Sequence, residues 1–207
     1  MIKFANKKNI IWDFDGVLID SHEVREKGFK LVLSEFPETE VDLLLDYHWK
    51  NGGLSRYVKF DYFFKTIRKE AISEEELLKY AENFSVIMRE YLIHPDILIE
   101  DSLQFVKMNY EKFRMHIVSG SDGNELRFLC DKLGISKYFK SIGGSPEPKI
   151  ELVKELLEKY EYSARETVLI GDSINDFEAA RESDVDFYGY NKPELIGTGK
   201  GYIESFL

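Results

Sequence analysis

The stretch Asn9-Ile10-Ile11-Trp12-Asp13-Phe14-Asp15-Gly16 decides how this chain is read. Its apolar run stops abruptly at an aspartate, and a second aspartate followed by glycine opens a tight turn. That is the pattern of a buried strand emptying into a loop. It recurs twice: Met115-His116-Ile117-Val118 runs into Ser119-Gly120-Ser121-Asp122-Gly123, and Thr167-Val168-Leu169-Ile170 runs into Gly171-Asp172-Ser173. Apolar residues at helical spacing lie between and after these runs: Leu126, Leu129 and Leu133 closed by Gly134, then Leu152, Leu156 and Leu157, then Phe177 and Ala180. Further strands are expected at 185–188 and 201–203. Strands alternating with helices predict an α/β fold, a doubly wound parallel sheet covered on both faces.

Residues 22–94 break the alternation. They carry amphipathic patterns without a convincing strand, including a capping box at Ser73 and Glu76 followed by Leu77, Tyr80, Phe84, Met88 and Tyr91 at intervals of three or four, until His94-Pro95 stops the helix. The expected organisation is therefore an α/β core of residues 1–21 and 95–207 with an α-helical insertion at 22–94. Because the insertion follows the first strand and its loop, it can sit over the carboxyl edge of the sheet, where open α/β folds hold ligands.

Of the 207 residues, 43% are hydrophobic and 32% charged, the composition of a packed globule. The formal net charge of −10 repels nucleic acid polymers and anionic membranes, so an anionic partner needs a local positive pocket. One segment inverts the charge: Lys50, Arg56, Lys59, Lys65, Arg68 and Lys69 face the single acid Asp61. On a helix, Arg56, Lys59 and Phe63 share one face and Tyr57, Phe60, Phe64 and Ile67 the other, so the first set is expected to meet a substrate. The same charges would equally suit a solvated face. The single cysteine, Cys130, excludes an internal disulfide and suits a reducing, cytoplasmic compartment. The N-terminal residues offer neither a signal h-region nor a membrane span. The oligomeric state is not written in the chain.

Parallel strands bring their carboxyl ends together, so Asp13, Asp15, Ser119, Asp172 and Asp176 are expected at one edge. Carboxylates gathered there repel one another unless a hard cation sits among them, and Mg²⁺ is the natural candidate. Lys149, just inside a helix opened by Ser145-Pro146, adds a positive charge for a phosphoryl oxygen or a carboxylate.

These residues resemble the haloacid dehalogenase superfamily of aspartate-nucleophile phosphohydrolases, whose Rossmann-like core often carries a helical cap. Asp13-Phe14-Asp15-Gly16-Val17-Leu18-Ile19-Asp20-Ser21 is similar to its first motif, Val118-Ser119-Gly120 to its second, Lys149 to its third, and Gly171-Asp172-Ser173-Ile174-Asn175-Asp176 to its fourth. The resemblance implies an enzyme hydrolysing a small phosphorylated metabolite, such as phosphoglycolate, a sugar phosphate or a nucleotide. In that reading Asp13 attacks phosphorus and Asp15 exchanges protons with the leaving oxygen and the water. Ser119 and Lys149 hold phosphoryl oxygens, and backbone amides near Gly16 and Gly120 complete an anion nest. Asp13, the carbonyl of Asp15 and Asp172 ligate Mg²⁺, while Asp176 acts on its waters or on Lys149. The third motif is spaced differently from that of many relatives, which leaves Lys140 as the alternative lysine. Gly53-Leu54-Ser55-Arg56 resembles the cap loop of β-phosphoglucomutase relatives, which implies that Arg56, with Lys59 beside it, reads a second anionic group. A phosphomutase is the competing enzyme reading, but Arg25 stands where those mutases carry a histidine. A non-catalytic phosphoryl-binding module is the third reading, and the retained Asp15 speaks against it.

Overall fold

In a computed structural model that describes residues 4 and 6–206, the run that ends at Asp13 is β1 (Asn9–Trp12), the central strand of the sheet. Every residue of β1 is buried, as expected where both sheet faces are covered. Its side chains divide with the period of two of a pleated strand. Ile10 and Trp12 join one core with Val168, Ile170, Leu103, Phe105 and Leu129. Ile11 joins a second with Leu169, Val153, Leu156, Ala179 and Ala180.

The other strands are β2 (Arg114–Asp122), β3 (Ser141–Ser145), β4 (Thr167–Gly171), β5 (Asp186–Tyr190) and β6 (Gly201–Ile203). All pairings are parallel and the order is β3-β2-β1-β4-β5-β6. The chain builds outward from β1 through β2 to β3, then crosses to β4 on the other side. This reversal opens a crevice beyond the carboxyl ends of β1 and β4.

Before β2 come α1 (His22–Val32), α2 (Glu38–Lys50), α3 (Arg56–Tyr62), a π-helical turn (Phe63–Arg68), α4 (Glu74–Tyr91) and α5 (Glu100–Asn109). After it come α6 (Gly123–Lys132), α7 (Lys149–Lys159) and α8 (Ile174–Arg181). Helix α4 begins at the capping box read from the sequence, with Ser73 and Glu76 satisfying each other's backbone amides. Helices α1 to α4 bury an aromatic cluster of their own, in which Phe29, Phe60 and Phe84 touch edge-on or tilted. This helical layer faces the carboxyl edge of the sheet.

The structure departs from the sequence reading in three places. Strand β3 was not foreseen, β2 runs on to Asp122 instead of ending at Val118, and the helix starting at Arg56 converts to a π turn at Phe63. The turn shifts the helical register, so Phe60, Phe63 and Phe64 are all buried and the expected division into two faces does not hold beyond Tyr62.

Candidate active site

Asp13 follows the last residue of β1, Asp172 follows β4, and Asp176 lies in the first turn of α8. The parallel pairing of β1 with β4, Trp12 beside Ile170, brings them together. Oxygens of Asp13, Asp172 and Asp176 lie within 4.8 Å of one another, and all three residues are buried or nearly so. Lys149, the first residue of α7, donates to Asp13 Oδ1 at 2.8 Å and also to Asp176. Lys140, the alternative lysine, precedes β3 and has no place in this cluster. Asp176 also serves its own helix, since with Ser173 it closes a capping box at the start of α8. One residue thus serves both the acidic cluster and the helix cap.

The electrostatics of the cluster are unfavourable as it stands. Burial, with Asp176 and Asp172 nearby, raises the proton affinity of Asp13 well above the usual carboxylate range, although Lys149 opposes this. Burial raises that of Asp172 as well, against the pull of His22, 3.4 Å away, and of Lys149. For Lys149, burial lowers the pKa, but Asp13 and Asp176 outweigh it and keep the ammonium charged. One lysine cannot balance three carboxylates. A hard divalent cation, which takes oxygen ligands, fits this donor set.

Asp15 is in a different state. Burial alone would raise its pKa, yet Arg25, Ser121 and Ser21 together hold it well below the usual carboxylate range. Arg25 Nε donates to Asp15 Oδ1 at 2.6 Å and Ser121 Oγ to Oδ2 at 2.6 Å. Ser119, on the same continuation of β2, is buried and lines the cavity beside Asp13 and Asp15.

The two glycines expected to present amides are fixed by close approach. Gly16 has φ of +73°, and a Cβ there would lie 2.1 Å from Asp172 Oδ2. A Cβ on Gly120 would lie 2.1 Å from the carbonyl oxygen of Gly53, so the loop before α3 rests directly on the end of β2. Only glycine permits either contact.

Across the cavity stands the helical layer. Arg56 and Lys59 are buried, so the expectation of a solvated basic face is replaced by one of enclosed cations. Arg56 donates from Nη1 and Nη2 to the carboxylate of Glu125, the latter at 2.8 Å, and from Nη1 to Ser85 Oγ. Glu125, fully buried in the first turn of α6, also accepts from Arg25 Nη1 at 3.3 Å. The fork expected to read a substrate anion is therefore engaged by a core glutamate. Tyr57 adds a second tie, donating to Asp122 at 2.9 Å. Lys59 donates to the carbonyl of Gly52 at 3.1 Å and has no ion-pairing acid among the described residues. Burial, and Arg25 next, lower its pKa to about 7.

The sequence reading missed Arg25 as a partner of Asp15, and it did not single out Ser121, His48 or Glu125 as site residues. Arg25 sits one helical turn after Ser21, a spacing that could have flagged it. Glu125 gave a fainter signal, an acid beside the apolar stripe of α6.

A family model described as haloacid dehalogenase-like hydrolase matches residues 10–190. The chain is 24% identical over 214 residues to a phosphoglycolate phosphatase of Colwellia psychrerythraea, covering 94% of this chain and 91% of the relative. It is 25% identical over 188 residues to the pyrophosphatase PpaX of Listeria welshimeri, covering 84% and 79%. Its fold superposes with a TM-score of 0.78 on a predicted phosphoglycolate phosphatase from Haemophilus somnus, at 18% identity and covering 99% of this chain and 96% of that one. No helix among the described residues is long and apolar enough to cross a membrane. With the match running from the first strand through the fifth, the chain belongs to the haloacid dehalogenase-like hydrolases.

Proposed function

We propose that the protein is a Mg²⁺-dependent phosphomonoesterase that hydrolyses a small phosphorylated metabolite through an aspartyl-phosphate on Asp13, with helices α1 to α4 acting as its cap. The observation that carries this reading is the placement of Asp13 between Lys149 and the acidic cluster, with Asp15 opening onto the same cavity. The names of the sequence relatives, phosphoglycolate phosphatase and pyrophosphatase, point the same way.

Lys149 engages one carboxylate oxygen of Asp13 and leaves the other to attack phosphorus. The new oxygen–phosphorus bond forms as the ester bond breaks, which divides one difficult displacement into two easier ones. Ser119 and Lys149 hold the phosphoryl oxygens, with backbone amides near Gly16 and Gly120. Asp15 gives a proton to the leaving oxygen and regains one from the water that cleaves the intermediate. The free site holds Asp15 ionised, the form needed to activate water. Asp13, Asp172 and the carbonyl of Asp15 would hold Mg²⁺, with Asp176 serving its waters. When bound, the ion neutralises charge on the transferring group and its neighbours.

The single cysteine, Cys130, is free and buried, and on that cysteine usage the protein is read as cytoplasmic. The test of the reading is phosphate release from p-nitrophenyl phosphate and a panel of phosphorylated metabolites, with and without Mg²⁺. Release should require Mg²⁺ and vanish in Asp13→Asn. Isomerised product without free phosphate would turn the assignment to a mutase.

A further inference from the structure

Three buried polar groups on the helical layer lack the partners that such groups normally find. Arg25 Nη2 and His48 Nδ1 have no hydrogen-bond partner among the described residues. Lys59 has only the carbonyl of Gly52, which leaves two of its three donors unused. Arg25, His48 and Lys59 are 6%, 5% and 3% exposed, and all three line the cavity that also holds Asp13, Asp15 and Ser119. A buried polar group left unpaired costs about 1–3 kcal/mol, and more if charged, so two of them around one void, beside a lysine with donors to spare, are not a packing accident. Arg56 cannot supply this role, because Glu125 and Ser85 occupy its fork.

We infer that Arg25, His48 and Lys59 form a second anion subsite, which receives a carboxylate or phosphate carried by the leaving group of the substrate. The inference rests on the hydrolytic reading above and narrows it. The substrate is then a phosphate ester or anhydride with two anionic ends a few atoms apart.

The surrounding charges explain why the subsite prefers an anion. Lys59 faces Arg25, Arg56 and Lys149, with Asp15 the opposing acid. His48 is held neutral, chiefly by burial and then by Lys59 and Arg25. An anion entering here relieves that repulsion and satisfies the unused donors together. Arg25 joins the subsite to the chemistry, since its Nε holds Asp15 while its Nη2 has no partner and its side chain lines the same cavity.

The test compares phosphoglycolate with ethyl phosphate, which keeps the skeleton and replaces the carboxylate by a methyl group. The readout is the ratio of their kcat/KM values in wild type, Lys59→Met and Lys59→Arg, each with Mg²⁺. Wild type should favour phosphoglycolate by about 100-fold, and Lys59→Met should reduce that ratio at least about tenfold, the effect of one charge-assisted hydrogen bond. Lys59→Arg, which restores a cation, should recover part of it. A wild-type ratio near one, or a high ratio unchanged in Lys59→Met, overturns the subsite while leaving hydrolysis intact. If wild type releases phosphate from neither compound nor from p-nitrophenyl phosphate, the hydrolytic reading itself fails and the subsite with it.

Discussion

At the carboxyl edge of the sheet, Asp13, Asp172 and Asp176 crowd around Lys149, whereas across the cavity Arg25, Arg56 and Lys59 stand against Glu125. One wall has too many acids and the other too many cations. In our reading the sheet edge is completed by a divalent cation from solution. The helical layer is completed in part by a glutamate lent from the core and, in our reading, in part by the substrate. Complementary deficits on two walls are what a site for an anion held beside a metal requires.

Removing the shared glutamate attacks this comparison most strongly. Glu125→Gln leaves Arg56 and Arg25 buried beside a neutral amide, and breaking a buried pair from one side costs about 3–5 kcal/mol. Urea unfolding at neutral pH should show that loss; a change below about 1 kcal/mol, the value of an exposed pair, would mean that the layer is not held through Glu125.

The sheet edge should respond to metal. Mg²⁺ at about 100 times its Kd should stabilise the fold by about 2.7 kcal/mol in thermal unfolding, an effect removed by chelation. Asp172→Asn should diminish that gain, and an undiminished gain would place the ion elsewhere.

A third experiment sharpens the contrast through pH. The pKa of Lys59 lies near 7 in the fold against 10.5 unfolded, so the folded state disfavours its proton. The resulting destabilisation is full below about pH 7 and fades as pH rises to 10.5. Lys59→Met should therefore be more stable than wild type by about 2 kcal/mol at pH 6 to 7, with the difference closing by pH 10.5. A difference that does not change with pH would show that Lys59 titrates normally. The smallest effect is expected far from both walls: Ser73→Ala removes the capping box of α4 and should cost about 1 kcal/mol in the same unfolding assay.

The two walls also differ in how far the sequence discloses them. Asp13 and Asp172 are legible because strand ends fix them: an apolar run, then an acid, in a parallel sheet leaves little choice of place. Lys149 is legible because it opens α7 at the same edge. The capping box at Ser73 is legible because it is local. Strand β3 is not, since Ser141-Ile142-Gly143-Gly144-Ser145 offers one large apolar residue and lies at the sheet edge, paired only with β2. The partners of Arg56 and Arg25 are not legible either. Glu125 is 69 residues from Arg56 and 100 from Arg25, and only tertiary packing brings them together. The π turn at Phe63 escaped notice because aromatic residues at 60, 63 and 64 suit a helix of either pitch.

The central claim is that Asp13 takes the phosphoryl group. Rapid quenching during turnover of a phosphate-labelled substrate, followed by peptide mapping, tests it most directly. The account predicts acid-stable label on the peptide bearing Asp13 in the wild-type protein and none in Asp13→Asn, with turnover lost. Steady turnover in Asp13→Asn, or label carried by another residue, would contradict it.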